Sequence, residues 1–266
     1  MTPSYLFTPS RQLPGPLQRK LQTCRQLILF LDFDGTLAGI RPTPAEASLS
    51  ATTRKLLRSL ASRSTVSIAI VTGRSLRNIR QKVDNNVIFI ANHGLEIFEA
   101  GIHWVHPGAE ACRSMLGELA RKIRRRLRNI TGAFVENKRY TISIHYRLVD
   151  RRHLGFVKAE VSGLYAPYGN ALNFSEGKRV VEIGPRVRWN KGVAVQKMLP
   201  LLKTNRRAFV VYVGDDTSDE SAFDALRRAG TTIVVGQKAA TGARYWVKNP
   251  AEVRHFLGLL NYTMER

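Results

Sequence analysis

Short apolar runs recur through the first third of the chain and are separated by segments long enough to form helices. These runs are Leu27–Leu31, Val66–Val71 and Val87–Ala91, and two more, Ala208–Val213 and Thr231–Val235, follow towards the other end. Parallel strands that helices cover on both faces have this continuous apolar pattern, and strands that alternate with helices are typical of α/β folds. The pattern therefore predicts an α/β domain built on a parallel sheet.

The pattern changes between about residues 106 and 186. Apolar residues first recur at spacings of 4, 3, 4 and 3, at Leu116, Ala120, Ile123, Leu127 and Ile130. This spacing predicts a helix with one buried face. Residues 140–147 then nearly alternate between apolar and polar types, as the strands of an antiparallel sheet do. We expect a smaller α+β module inserted into the α/β domain.

The domain boundaries follow from these two patterns. The α/β domain takes residues 27–105 and 187–266, and the inserted domain takes residues 106–186, with Pro107 and Pro185 near the two connections. Residues 1–26 contain four prolines and no apolar run of the length found in a secretory signal. We expect this segment to be a poorly ordered lead-in.

The chain is strongly basic, with 42 Lys and Arg residues against 20 Asp and Glu residues and a formal net charge of +22. Such a charge attracts nucleic acid, anionic lipid or a phosphorylated metabolite. In the densest basic segment, Arg121, Arg124, Arg125 and Arg128 occupy the polar face of the predicted helix. No aromatic residues interleave there to stack on bases. We therefore expect a solvated basic surface rather than one that binds nucleic acid.

Composition also excludes several classes of protein. The apolar runs are far shorter than the ~18 residues that a membrane span needs. The two cysteines, Cys24 and Cys112, cannot form a disulfide framework and lack the spacing of metal ligands. We therefore expect no membrane partner and a protein of the reducing cytoplasm.

Two acidic residues directly follow the first apolar run. Asp32 and Asp34 are two residues apart, so both carboxylates lie on one face of an extended chain. At the carboxyl end of a parallel strand they project into the crevice where α/β sheets bind ligands, and Gly35 permits a sharp turn there. A calcium loop is excluded, because Leu37 and Thr43 stand where an EF-hand needs Gly and Glu.

Three further segments place reactive side chains at strand ends or helix starts. Thr72 and Arg74 follow the second run at a turn that suits an anion, and Lys191 opens a predicted helix. Four acidic residues lie within Asp215–Glu220, a density that requires a cation, and oxygen ligands favour Mg²⁺. Together with the first acidic pair, these groups are suited to phosphoryl transfer through an aspartyl-phosphate.

The four ordered segments resemble the motifs of the haloacid-dehalogenase (HAD) superfamily of phosphatases; they are Asp32–Thr36, Thr72, Lys191 and Gly214–Asp219. The resemblance implies a Rossmann-like HAD core with a parallel sheet. The insert resembles the α+β cap of the C2 type that members of this superfamily carry.

A narrower resemblance is to the trehalose-6-phosphate phosphatase family. It is carried by Ala91–Glu96, by Val135–Lys138 leading to His145–Arg147, and by Gly177–Lys178 leading to Glu182–Pro185. The family usually has Ser, Thr and Arg where this chain has Thr72, Ser218 and Gly184. The first two changes keep a hydroxyl group, whereas Gly184 removes a charge near the expected sugar site.

This resemblance implies an enzyme that hydrolyses trehalose 6-phosphate to trehalose and phosphate, the last step of trehalose biosynthesis. It makes Asp32 the nucleophile and Asp34 the general acid/base, while Thr72 and Lys191 hold phosphoryl oxygens. Mg²⁺ is assigned to Asp32, Asp34 and Asp215, with Asp219 or Asp216 in support. The residues implied to bind substrate are Arg74, His93, Glu136, Lys138, Arg147, Lys178 and Glu182.

Three alternatives stay open at this point, as does the oligomeric state. Another capped HAD phosphatase could act on sucrose 6-phosphate or mannosyl-phosphoglycerate. A phospho-receiver module also uses Asp, Mg²⁺, Thr and Lys, but it needs about half this length. A non-catalytic, nucleic-acid-binding relative would explain the charge, although the intact Asp32, Asp34, Lys191 and Asp215 argue against it.

Overall fold

The computed structural model describes residues 2–84, 86–177 and 179–265. The chain forms two compact units: one combines the segment up to Trp104 with the segment from Trp189 onward, and the other is Val105–Arg188. In the sequence analysis, these divisions are expected after residues 105 and 186. Lys178, one of the expected substrate-binding residues, lies outside the described residues.

The large unit alternates strands and helices along most of its length. Its strands are β1 (Ser4–Tyr5), β2 (Gln26–Leu31), β3 (Val66–Val71), β4 (Ile88–Ala91), β5 (Glu96–Glu99), β6 (Ile102–Val105), β11 (Ala208–Gly214), β12 (Thr231–Val235) and β13 (Tyr245–Val247). Its helices are α1 (Gly15–Thr23), α2 (Ala51–Ala61), α3 (Leu76–Ile79), α7 (Lys191–Leu202), α8 (Glu220–Leu226) and α9 (Pro250–Met264).

Within the described residues the large sheet has nine strands in the order β1-β13-β12-β11-β2-β3-β4-β5-β6. In this order, each strand from β1 through to β4 is parallel to its neighbours, and β5 is antiparallel to β4. The central strand β2 is buried along its whole length, because residues on both its faces pack into separate apolar clusters. This confirms the predicted parallel α/β sheet. Residues that follow β2, β3 and β11 therefore meet at one edge of the sheet.

The expectation of a poorly ordered lead-in at residues 1–26 is wrong for the described part of that segment. Strand β1 pairs with β13 and α1 contacts α9. Leu13, Leu17 and Leu21 recur every four residues, and all three are buried. In the sequence analysis, the four prolines were given more weight than this helical spacing. Pro16 is compatible with a helix because it stands in the first turn, where no backbone N–H donor is needed.

The small unit is an antiparallel sheet with helices on one face. Its helices are α4 (Pro107–Ala111), α5 (Arg113–Leu127) and α6 (Leu154–Tyr165), and its strands are β7 (Phe134–Asn137), β8 (Ile142–His145), β9 (Leu172–Gly177) and β10 (Val180–Pro185). The sheet order is β7-β8-β10-β9. Alternate residues such as Ile142, Ile144, Val181 and Ile183 pack with the buried face of α5, as the sequence predicts. The other face of the sheet carries polar side chains.

No helix among the described residues is both long and apolar enough to cross a membrane.

The packing of α1 can be tested by truncating Leu21, which is 2% exposed. We expect Leu21→Ala to lower the free energy of unfolding by about 2–5 kcal/mol, because it leaves a cavity under the helix. Urea denaturation of the full chain measures this change. Leu201→Ala is the matched control, since Leu201 is 73% exposed and its loss should change stability by no more than about 0.5 kcal/mol. Equal effects of the two substitutions would contradict the packing of α1.

Candidate active site

The turn after β2 carries both acidic residues of the first motif. Asp32 is 4% exposed, and its backbone N–H donates to Val213 O at 2.9 Å, which continues the ladder between β2 and β11. Gly35 follows with a φ of 79°, and its N–H donates to Ala38 O at 2.7 Å. A side chain at Gly35 would overlap the carboxylate of Asp215. The turn therefore needs glycine both for its backbone conformation and for the close approach of Asp215.

Lys191 joins the ends of β2 and β11. It opens α7, where the Asn190 side chain caps the helix by accepting from Val193 N at 3.0 Å. The Lys191 ammonium donates to Asp32 Oδ1 and to Asp219 Oδ1, each at 2.8 Å. Lys191 is 2% exposed and Asp219 is fully buried. A buried charge is stable only when it is paired, so these three side chains depend on one another.

Every acceptor position of the Asp219 carboxylate is used. Besides Lys191, the Tyr212 hydroxyl donates to Oδ1 at 2.6 Å, and the N–H groups of Asp215 and Asp216 donate to Oδ2 at 3.1 and 3.0 Å. A carboxylate accepts about four hydrogen bonds. The sequence assigns Asp219 to the metal, whereas this geometry makes it an organiser of Lys191 and of the acidic loop.

The cluster carries more negative charge than Lys191 can neutralise. Oxygens of Asp32, Asp215 and Asp219 lie within 4.8 Å of one another. Burial, reinforced by Asp219 and Asp216, raises the pKa of the Asp215 carboxyl to about 7. Burial also raises the pKa of Asp32 well above its usual range, although Lys191 opposes the shift. Asp219 behaves in the opposite way, because Lys191 and its other hydrogen-bond donors outweigh burial and lower its pKa.

These observations fit a divalent cation beside Asp32 and Asp215. Within the described part of the chain, no side-chain or backbone donor bonds to the Asp215 carboxylate. Its two oxygens are therefore available, unlike those of Asp219. Carboxylate and carbonyl oxygens are the ligands that Mg²⁺ prefers. The donor set thus fits Mg²⁺, for which Asp32 and Asp215 would be the side-chain ligands.

The turn after β3 places Arg74 against Asp34. Arg74 Nε and Nη2 each donate to an Asp34 carboxylate oxygen at 2.6 Å. Its Nη1 donates to Asn78 Oδ1 at 2.6 Å, and its guanidinium lies 5.0 Å from the centre of the Phe33 ring. The sequence assigns Arg74 to the substrate, but in the structure its guanidinium binds Asp34. The Arg74 side chain is 6% exposed and that of Asp34 is 44% exposed, so Asp34 is the partner that solvent reaches.

His93 belongs to a turn that packs directly on this segment. Its N–H donates to Thr72 O at 2.9 Å, and Asn92 N–H donates to Arg74 O at 2.8 Å. The imidazole lies against Gly73, where a side chain would overlap the ring. The structure thus places His93 beside Thr72, the residue assigned to phosphoryl oxygens, through backbone contacts that residue spacing could not predict.

The small unit brings several of the expected sugar-binding residues onto the polar face of its sheet. Glu182 Oε1 accepts from Lys138 Nζ at 3.0 Å and from Ser143 Oγ at 2.7 Å. Glu136 lies 3.4 Å from His145 Nε2, and Arg147 is exposed beyond the end of β8. Our sequence analysis missed Ser143, although the alternation along β8 puts it on the same face as His145.

Tyr212 was also missed in the sequence. It lies inside a continuous apolar run, and an apolar run gives no sign that one hydroxyl faces an acidic loop. Its hydrogen bond to Asp219 becomes evident only when the turn after β11 folds back on the strand.

The profile of the family described as trehalose-phosphatase matches residues 30–250, which include the ends of β2, β3 and β11 and the start of α7. This chain belongs to the trehalose-phosphatase family. It is 32% identical over 248 residues to the probable trehalose-phosphate phosphatase D of Arabidopsis thaliana, covering 88% of this chain and 66% of that protein. It is 35% identical over 240 residues to the trehalose-phosphate phosphatase of Mycobacterium ulcerans, covering 87% of this chain and 60% of that protein. The chain thus spans about two thirds or less of the length of these family members.

Solved structures show the same fold. The C-terminal domain of Candida albicans trehalose-6-phosphate phosphatase superposes with a TM-score of 0.80 at 23% identity, covering 98% of this chain and 99% of that chain. A haloacid dehalogenase-like hydrolase from Bacteroides thetaiotaomicron superposes with a TM-score of 0.61 at 16% identity, covering 88% of this chain and 99% of that chain. The HAD fold implied by the sequence motifs is thereby confirmed.

The tight turn at Gly35 predicts that alanine destabilises the protein at this position but not at the nearby Gly39. Gly35→Ala should lower the free energy of unfolding by more than about 1 kcal/mol, because alanine is strained at positive φ and its methyl group displaces Asp215. Gly39→Ala is the control, since among the described residues, its two chain neighbours aside, no atom lies within 4 Å of the added methyl group. Urea denaturation compares both with the wild type. If Gly35→Ala is as stable as Gly39→Ala, the turn geometry is wrong.

Proposed function

We propose that this member of the trehalose-phosphatase family hydrolyses trehalose 6-phosphate to trehalose and phosphate through an aspartyl-phosphate on Asp32. The observation that carries the proposal is the buried Asp32–Lys191–Asp219 network, with Asp215 beside it at the carboxyl ends of β2 and β11. Family membership adds support, because the curated members named above are trehalose-phosphate phosphatases. We further propose that the protein acts in the cytoplasm.

The reaction takes two displacements at phosphorus. Asp32 attacks with one carboxylate oxygen, the bond between phosphorus and the sugar oxygen breaks, and the departing oxygen takes a proton from Asp34. Asp34 then accepts a proton from the water that attacks the aspartyl-phosphate, which releases phosphate and restores Asp32. Asp34 must turn away from Arg74 to reach the sugar oxygen, and its exposure permits this rotation.

Lys191 and Thr72 stabilise the negative charge that spreads over the phosphoryl oxygens. An ammonium group has three N–H donors, and Lys191 gives two of them to Asp32 and Asp219. The third is available to a phosphoryl oxygen. Thr72 is 1% exposed, and its Oγ1 accepts from Arg74 N at 3.2 Å, which leaves the hydroxyl proton for the substrate.

Mg²⁺ would be held by the Asp32 and Asp215 side chains and by the Asp34 carbonyl, with Asp219 and Asp216 ordering the loop around it. When bound, the ion offsets the repulsion between the Asp32 carboxylate and the phosphate.

The sugar is bound, in this proposal, by the polar face of the small sheet. Glu136, Lys138, Arg147, Lys178 and Glu182 supply charged donors and acceptors that suit a ligand rich in hydroxyl groups. Glu182 is prepared for this role, because Lys138 and Ser143 fix one of its oxygens.

A second substrate class stays open because of Gly184, which pairs with Asn173 on the same sheet and places no side chain on its polar face. Sucrose 6-phosphate and mannosyl-phosphoglycerate are therefore tested beside trehalose 6-phosphate. Nucleic-acid binding stays the less favoured prediction; Arg121 and Arg125 are exposed on α5, and Arg128 is exposed just after it.

A panel of phosphate esters tests the proposed reaction. Phosphate release should be fastest with trehalose 6-phosphate, measurable with p-nitrophenyl phosphate, and abolished by EDTA and restored by Mg²⁺. Asp32→Asn should reduce turnover on every ester by orders of magnitude while keeping the fold, because Lys191 still pairs with Asp219 and the amide keeps the shape but cannot attack phosphorus. Turnover near that of the wild type in Asp32→Asn would remove the nucleophile assignment. A preference for another sugar phosphate would replace the substrate.

The sugar-binding role is tested by Glu182→Ala. Losing a hydrogen bond to a charged group should reduce kcat/KM for trehalose 6-phosphate by about 10- to 150-fold. Hydrolysis of p-nitrophenyl phosphate should change little, since this ester has no sugar.

Glu176→Ala is the matched control for Glu182→Ala. Glu176 lies on the neighbouring strand β9 but pairs with Lys158 of α6, on the helix side of the sheet. Glu176→Ala should leave hydrolysis of trehalose 6-phosphate and of p-nitrophenyl phosphate unchanged. If Glu182→Ala reduces hydrolysis of both esters equally, Glu182 has a structural role only.

A further inference from the structure

Trp189 lies two residues before α7, the helix that begins with Lys191, and the contacts that hold its ring include the following. The indole N–H donates to Gly94 O at 2.7 Å. One contact of the ring is with Trp104, at 5.3 Å between ring centroids and a tilt of 36°. The Lys197 ammonium lies 5.9 Å from the ring centroid. Trp189 is thus a rigid, half-buried side chain at the start of α7.

The acceptor of this hydrogen bond belongs to an unusual turn. Asn92, His93 and Gly94 have φ values of 49°, 57° and 96°. Two successive left-handed residues other than glycine are strained, and such strain persists only when the surroundings enforce the conformation. The hydrogen bond from the Trp189 indole to Gly94, the third residue of the turn, helps to hold this conformation.

The same turn contacts both parts of the site that are proposed to hold phosphoryl oxygens. On one side, the N–H groups of His93 and Asn92 bond to the carbonyls of Thr72 and Arg74. On the other side, Gly94 packs so closely on the first turn of α7 that a side chain there would overlap Ala194. The turn therefore lies between Thr72 and the helix of Lys191.

We propose that Trp189 is a positioning residue, which sets the distance between Lys191 and Thr72 by locking the 92–94 turn through Gly94 O. The inference rests on the proposed function, since it concerns the two groups assigned there to phosphoryl oxygens. Trp189 acts through these groups and does not touch the substrate.

The test compares Trp189→Phe with Trp246→Phe. Both variants replace an indole by a benzyl ring, and Trp246 contacts Tyr5, on β1 at the edge of the large sheet. Because a misplacement of about 1 Å can cost about 100-fold in rate, Trp189→Phe should lower kcat/KM roughly 10- to 100-fold. The loss should be equal for trehalose 6-phosphate and p-nitrophenyl phosphate, and Trp246→Phe should lower neither.

Calorimetric binding of inorganic phosphate, with and without Mg²⁺, provides a readout that does not need turnover. Trp189→Phe should weaken phosphate binding, whereas Trp246→Phe should not. If the wild type binds phosphate but hydrolyses no ester, the proposed function fails. Phosphate binding by the variants still tests whether Trp189 is a positioning residue. Unchanged phosphate affinity in Trp189→Phe would overturn the inference.

A double-mutant cycle separates positioning from a general structural role. If Trp189 acts by positioning Thr72 against Lys191, adding Trp189→Phe to Thr72→Val should cost little further activity, whereas fully additive losses would overturn the inference. Trp104→Ala provides a second route should Trp189→Phe fail to fold, because it removes the neighbouring ring but keeps the Trp189 N–H. It should weaken phosphate binding in the same direction by a smaller factor, and no weakening would count against the inference.

Discussion

The candidate active site depends on one buried ammonium group that is shared by two carboxylates. Lys191 comes from the start of α7, Asp32 from the end of β2, and Asp219 from the turn after β11. None of these charges could stay ionised in the interior alone, because the loss of hydration costs several kcal/mol for each ion. The pairing therefore holds three separate segments of the chain at the same edge of the sheet.

This arrangement separates structural from reactive acidic residues. Asp219 has all its acceptor positions taken by Lys191, Tyr212 and two backbone N–H groups. Asp215, four residues earlier, faces the turn at Gly35, and its raised pKa reflects burial near other carboxylates. The loop thus uses one carboxylate for its own architecture and leaves the other for the cation that we propose. A sequence rich in acidic residues does not distinguish these two roles.

The two units differ in chemistry in a way that matches the division of labour we propose. The large unit gathers its charged groups at the ends of buried parallel strands, where the backbone is rigid. The small unit carries its charged groups along one face of an antiparallel sheet, where Glu182 is held by Lys138 and Ser143. Rigid strand ends suit bond breaking at a fixed phosphorus, and a broad polar face suits a ligand with many hydroxyl groups.

The sequence alone determined the α/β sheet, the inserted α+β unit, the strand ends that carry Asp32, Thr72 and Asp215, and the helix start at Lys191. Continuous apolar runs and motif order are local properties, which is why sequence could predict them. It could not determine the pairing of Arg74 with Asp34, the hydroxyl of Tyr212 on Asp219, or the packing of α1. These contacts join residues 40, 7 and more than 200 positions apart, or depend on which way a turn folds back. Tertiary structure decided them, because a buried polar or apolar side chain contacts only the groups that the fold brings next to it.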